Sequence, residues 1–177
     1  MSITAKDVNE LRKKTGAGMM DCKNALTESN GNMEDAIDFL RKKCQKIAAK
    51  RGDRDAKEGL VIAKSNNNIG YLICLNCETD FVAKNDDFSK LANYFIELAL
   101  DSNSDSLEDF LKLKYQDSEL TISEKITEQS GVIGEKIEIS YFDKILSEKV
   151  VAYNHPGNQI ASLVGLTIRF ITILLWI

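Results

Sequence analysis

The chain has 177 residues, with 44% hydrophobic and 28% charged side chains, one proline and a net charge of -4, a profile ordinary for a soluble globular protein and one that speaks against a long disordered linker. The charge is unevenly divided: residues 1–57 hold 13 Lys/Arg against 9 Asp/Glu, and the rest hold 10 against 18. A generally basic nucleic-acid binder is thereby excluded, while a basic arm is not.

Thr4, with Asp7 three residues on, predicts a shortened capping box opening a helix with Val8 and Leu11 on one face. Lys13 and Lys14 suit the C-terminal end of its dipole, and Gly16-Ala17-Gly18 breaks it. A second helix is expected from Met19 to Ser29 with Cys22, Ala25 and Leu26 inward, ended by Asn30-Gly31. Asn32 caps a third, carrying Met33, Ala36, Ile37 and Leu40 at helical spacing. Residues 1–45 thus form a small three-helix domain, marginal alone and suited to docking. Residues 46–58 predict a basic, partly helical connector. A solvated linker fits this basic stretch better than an RNA contact, because no aromatic is interleaved for stacking.

From residue 59 the pattern changes to an α+β core extending to 166. Leu60–Ala63 and Tyr71–Leu75 predict a hairpin with an Asn/Gly turn, its second strand packed on both faces. Phe88, Leu91, Ala92, Phe95 and Leu98 mark an amphipathic helix over Asp86–Leu100. A loop and cap at 101–106 precede helices over Leu107–Tyr115 and Leu120–Gln129, and Gly131-Val132-Ile133-Gly134 ends the helical region. Lys136–Phe142, Lys149–Tyr153 and Ile160–Leu166 read as further strands. The stretches 68–75 and 158–166 share an Asn lead and Leu spacing, which either two related hairpins in one antiparallel sheet or chance explains. The fold class is α+β: a small helical domain, then a core with an antiparallel sheet and packed helices. Residues 167–177 are apolar but contain Arg169, too short and too charged to span a bilayer. They read as an extra strand or a tail foreign to the fold, and no membrane partner is expected.

Four cysteines, Cys22, Cys44, Cys74 and Cys77, and a start without an apolar signal region predict a cytoplasmic protein with buried thiols. Cys74 and Cys77 resemble a metal or redox pair, but residues three apart on a strand face opposite ways, and no second pair exists. His155, the only histidine, precedes Pro156-Gly157 in a turn with no nucleophile beside it, so a surface contact is expected. The glycines at 131 and 134 have the wrong spacing for a phosphate loop. No catalytic residue, cofactor or metal ligand set is predicted. The most informative stretch is Cys74–Lys84: an apolar strand leaves through Thr79-Asp80, which caps a helix, and Phe81-Val82 follows at once. Phe81 is either a hydrophobic staple pinning that helix, which local physics favours, or a wedge for a partner.

Two stretches carry a resemblance. Leu11–Leu26 and Asn76–Lys84 (Asn-Cys-Glu-Thr-Asp-Phe-Val-Ala-Lys) are similar to the two signatures of the bacterial elongation factor Ts family, and the likeness runs from about residue 3 to 166. It implies a helical domain like a ubiquitin-associated (UBA-like) domain that docks on elongation factor Tu, GDP-bound or nucleotide-free. It implies guanine-nucleotide exchange without active-site chemistry of its own, and it admits homo-oligomers of the complex. By this resemblance Asp80 and Phe81, flanked by Thr79 and Val82, intrude beside the nucleotide and its magnesium. Met19, Met20 and Lys23 belong to the docking helix, Ile133 and Gly134 to a second contact, and His155 to a contact with another domain of the GTPase. No specific nucleic acid is implied. Two departures stand out: Cys74 occupies a position usually Glu, and Cys44 one where Gly usually follows the third helix, predicting loss of a left-handed cap. The tail from 167 matches nothing in the family pattern, which predicts a C-terminally truncated or frame-shifted product. The rival expectation is a non-catalytic interaction protein that binds a GTPase or other partner through its helical domain.

Overall fold

The structure, a computed structural model, describes residues 3–116 and 118–167. The helices in chain order are α1 (Ala5–Thr15), α2 (Met19–Glu28), α3 (Met33–Arg51), α4 (Asp80–Ala83), α5 (Asp86–Ser102), α6 (Leu107–Leu111) and α7 (Ile122–Ile133). The strands are β1 (Glu58–Asn66), β2 (Ile69–Cys77), β3 (Glu138–Leu146), β4 (Lys149–Asn154) and β5 (Ala161–Leu166). Helices with antiparallel sheets make this an α+β protein. It divides into two compact units, one drawing on Met1–Arg54 and Glu124–Lys136, the other on Asp55–Ser123 and the chain from Ile137 onward.

The first unit is helical. The capping box at its start is present: Asp7 N–H donates to Thr4 Oγ1 at 3.3 Å, and Thr4 N–H donates to Asp7 Oδ2 at 2.9 Å. Asn32 Oδ1 likewise accepts from Glu34 and Asp35 at the start of α3. Leu11, Cys22, Ala25, Leu26 and Ala36 are wholly buried at the centre, with Val8, Ala17 and Leu40 closing around them. Each fully buried leucine there contributes about 2 kcal/mol. Helix α3 continues to Arg51, so the basic stretch 46–58 is helical over residues 46–51 and non-helical beyond, in line with a partly helical connector. Gln45–Arg51 contains neither Gly nor Pro, and Lys50 and Arg51 favour the helix end. The cap expected to be lost at Cys44 is therefore not at issue, because Cys44 lies buried inside α3. Helix α7 joins this unit by close approach: a Cβ added to Gly131 would lie 2.3 Å from Cys44 Cα.

The second unit is built on the sheet β1-β2-β3, all antiparallel. The register Asn66↔Ile69 leaves Asn67-Asn68 as a two-residue turn, with Asn67 at φ 52°. Gly70, expected in that turn, instead lies buried within β2, where an added Cβ would be 2.6 Å from Val150 and 2.9 Å from Leu163. The β4–β5 pair packs there. In β2 the residues Tyr71, Ile73, Leu75 and Cys77 are buried, but Leu72, Cys74 and Asn76 are only half-buried. Packing on both faces is thus corrected to one closed face and one partly covered face. The closed face is central: Phe95 and Phe110 meet edge-on with ring centroids 6.2 Å apart, and Phe110 stacks on Phe142 at 5.1 Å.

Strands β4 and β5 form a separate two-stranded sheet, so of the two explanations for the likeness between residues 68–75 and 158–166, that of hairpins sharing one sheet does not hold. The reason lies at the free edge of β1. Asn154 spans it, its Oδ1 accepting from Ala63 N–H at 2.7 Å and its Nδ2 donating to Ala63 O at 2.8 Å. Val61 N–H donates to Asn158 O at 2.8 Å, and Gln159 Nε2 donates to Gly59 O at 3.2 Å. A side-chain amide thus covers an edge that a further strand could otherwise extend.

Helix α5 buries Phe88, Leu91, Ala92, Phe95, Ile96 and Ala99, whereas Leu98 is only partly buried. Helix α6 stops at Leu111 and does not reach Tyr115, because the chain reverses into a bridge between Lys114 and Thr121 with Gln116 at φ 52°. Helix α7 accordingly starts at Ile122 and runs on to Ile133. The expectation for the tail falls, from residue 168 on, outside the described residues. No described helix is long and apolar enough to cross a membrane.

Candidate functional site

Strand β2 ends at Cys77, and the chain turns sharply into the four-residue helix α4. Thr79 sits at its N-cap position with extended backbone (φ -126°, ψ 152°), but its side chain makes no capping bond. The cap expected of Thr79 is therefore only positional. The turn is closed by Ala83 N–H donating to Thr79 O at 3.2 Å and Lys84 N–H donating to Asp80 O at 3.0 Å. Asn85 then caps α5 directly, its Oδ1 accepting from Asp87 N–H at 2.7 Å. A single turn is thus clamped between the end of a buried strand and the start of a buried helix.

That clamping sets the side chains. Ala83 points inward and is buried, Val82 is half-buried, and Phe81 points outward with 82% of its surface exposed. A staple would have buried the ring against its own helix; the observed exposure removes that reading. Asp80 bonds to Lys84 at 2.6 Å across the turn. Its carboxyl is held below the usual range, first by that bond to Lys84, and the Lys84 ammonium is correspondingly raised. The groove beside α4 brings Asp80, Ala83 and Lys84 together with Glu58 and Leu60 of β1, and with Gly157, Asn158 and Gln159 of the β4–β5 turn.

His155 lies in that same β4–β5 turn, two residues before Gly157, and is exposed. Its Nδ1 is 2.9 Å from Tyr153 Oη, and its backbone N–H donates to Ile160 O at 2.9 Å. The other implicated residues belong to the first unit. Met19 and Met20 are 56% and 65% exposed at the start of α2, and Lys23 follows on its solvent side. Ile133 is the last residue of α7, and Gly134 ends that helix at φ 80°, its N–H donating to Ser130 O at 2.9 Å. The implicated residues are therefore split between the two units. Thr79–Val82 and His155 fall in one; Met19, Met20, Lys23, Ile133 and Gly134 fall in the other.

Sequence reasoning assigned Lys84 no role, although its i,i+4 spacing from Asp80 is a readable signal. It could not have found Asn158 beside Asp80, since 78 positions separate them and only the β1 edge unites them. The four cysteines are free thiols, with Cys22, Cys44 and Cys77 buried and Cys74 half-buried. Burial raises the Cys22 and Cys44 thiols above their usual range. Cys77 Sγ approaches Thr79 O at 3.2 Å and Cys74 Sγ approaches Asn76 Oδ1 at 3.2 Å, so both thiols are spent on local packing.

Residues 78–170 match the protein-family model described as Elongation factor TS. The chain is 58% identical over 167 residues to an Elongation factor Ts of Christiangramia forsetii, covering 93% of this chain and 60% of that protein. It is 50% identical over 170 residues to an Elongation factor Ts of Flavobacterium psychrophilum, covering 95% and 61%. With the Elongation factor Ts of Amoebophilus asiaticus it shares 49% identity over 168 residues, covering 94% and 60%. The chain thus spans about three-fifths of the length of these curated relatives. Since the family match takes in more than half of the chain and includes the whole of α4, the chain belongs to the elongation factor TS family.

Proposed function

We propose that this chain binds elongation factor Tu, GDP-bound and nucleotide-free, and promotes GDP release as a guanine-nucleotide exchange factor in the cytoplasm. The observation that carries the reading is Phe81, a large aromatic left 82% exposed on a turn clamped at both ends. Exposing a phenylalanine gains a monomer nothing; it suits a ring that fills a partner's pocket. In this reading Phe81 and Asp80 enter beside the nucleotide, with Thr79 and Val82 shaping the turn. Met19, Met20 and Lys23 dock the helical unit, Ile133 and Gly134 add a second contact, and His155 touches another domain of the GTPase.

Much of the grip on a nucleoside diphosphate comes from magnesium and oriented backbone donors around its phosphates. Shifting that arrangement removes several hydrogen bonds, and each 1.4 kcal/mol lost is about tenfold in affinity. Linkage then requires GDP to weaken binding of the factor by the same ratio. Exchange of this kind needs no bond-making group on the factor itself.

Stopped-flow release of fluorescent GDP from elongation factor Tu tests the reading. The intact chain is expected to accelerate release. Phe81→Ala should lower the maximal rate by about tenfold or more while leaving the melting temperature almost unmoved, because the exposed ring packs on little of its own chain. No acceleration by the unaltered protein sinks the proposal.

A further inference from the structure

The residue in direct contact with Asp80 has no part in the reading above. Lys84 closes α4 twice: its backbone N–H donates to Asp80 O at 3.0 Å, and its Nζ donates to Asp80 Oδ2 at 2.6 Å. The side-chain bond runs from the C-terminal end of the turn back to its first residue, so the carboxylate is held alongside α4. Lys84 is the one cation among the described residues that line the neighbouring groove, where Glu58 and Asp86 add further negative charge. Its side chain is 76% exposed, which leaves its outer face open to a partner.

A bare carboxylate carried towards a diphosphate meets like charges, and the repulsion grows as water is expelled. We infer that Lys84 is a positioning residue for exchange: it brings Asp80 to the phosphate-bearing site as a neutral ion pair and fixes the direction of the carboxylate on entry. This rests on the exchange reading. In water an exposed pair of this kind adds little to folding, and its effect emerges only once the pair is desolvated against the GTPase.

The test measures GDP release from elongation factor Tu at rising concentrations of the wild-type chain, Lys84→Ala, Lys84→Arg, Asp80→Ala and the double variant Asp80→Ala/Lys84→Ala, each checked for a wild-type melting curve. Lys84→Ala is expected to lower the saturating release rate by about fivefold, with the half-saturating concentration within about twofold of wild type. Lys84→Arg should recover most of that rate. The double variant should release GDP no more slowly than Asp80→Ala alone, since Lys84 acts through Asp80. Multiplying effects in the double variant, or a raised half-saturating concentration at unchanged maximal rate, overturn the inference and make Lys84 a plain anchor. A wild-type chain that fails to speed release overturns the exchange reading itself, and the inference falls with it.

Discussion

Met19 and Met20 stand exposed on a ten-residue helix, whereas Phe81 stands exposed on a four-residue turn. Helix α2 is held by its own inward face, with Cys22, Ala25 and Leu26 wholly buried. Its outward methionines are placed by the same periodicity that buries their neighbours, and their flexible thioethers suit an adaptable docking surface. Helix α4 has only Ala83 to bury, and a single turn cannot form by itself because nucleation outweighs one or two hydrogen bonds. Its position is imposed by β2 before it and α5 after it. An aromatic with few rotamers on an imposed turn is suited to insertion, and a methionine pair on a self-supporting helix to docking.

Three perturbations press on that contrast. The largest effect is expected from Gly131→Leu in the helical unit. The new Cβ would lie 2.3 Å from Cys44 Cα, a backbone atom that no rotamer change can clear. A loss of about 3 kcal/mol is expected, read as a lower midpoint in urea. Cys44→Ala should fail to restore it, because the collision is with the main chain. Full restoration would show that the clash is with the Cys44 thiol and not with its main chain.

Asn154→Ala strikes the sheet side. It removes both bonds to Ala63 and strips the β1 edge of its cover, at an expected cost of about 2 kcal/mol. Hydrogen exchange at the Ala63 amide should speed up, and with it exchange at Val61, whose partner Asn158 lies in the turn that follows Asn154. Unchanged protection at both amides would mean that the β4–β5 turn is held by its apolar packing alone.

The smallest effect is a pH dependence of the helical unit. Thr4 lowers the Asp7 carboxyl below its ordinary value, first through its side-chain bond and then through its backbone N–H. A depressed native value stabilises the fold above the unfolded aspartate value of about 3.9, and this contribution is lost as pH falls through the lower native value. Asp7→Asn should therefore lower the melting temperature slightly at neutral pH, with the difference shrinking in acid below about pH 3. A difference that persists there would assign the effect to hydrogen-bond shape and not to charge.

Much of the helical unit was legible because its signals are local. The Thr4–Asp7 box, the Asn32 cap and the inward Cys22, Ala25 and Leu26 all follow from spacing within one helix. The end of α3 was less legible, since Cys44 sits where a break was expected, and what keeps the helix running there is an even run of helix formers. In the sheet unit the strands could be found, but not their sheets. The likeness between residues 68–75 and 158–166 leaves one shared sheet and chance both open, and the Asn154 side chain at the β1 edge goes with two sheets. At the candidate site, spacing located the strand exit and the aromatic after it, but could not choose between a buried and an exposed ring. Both outcomes place Phe81 at the same position in the chain; only the packing of Ala83 and the start of α5 aims the ring outward.

The amino-acid sequence by itself determined the order of helices and strands, the wholly buried core of the first unit and the family signature across the strand exit, because each depends on residues only a few positions apart. Tertiary structure decided the exposure of Phe81, the approach of Gly131 to Cys44 and the meeting of Asp80 with Asn158 in one groove. The last two join residues tens of positions apart, and the first depends on how the strand and helix on either side hold the turn; in each the outcome rests on which surfaces are closed first and which backbone edges still need a partner.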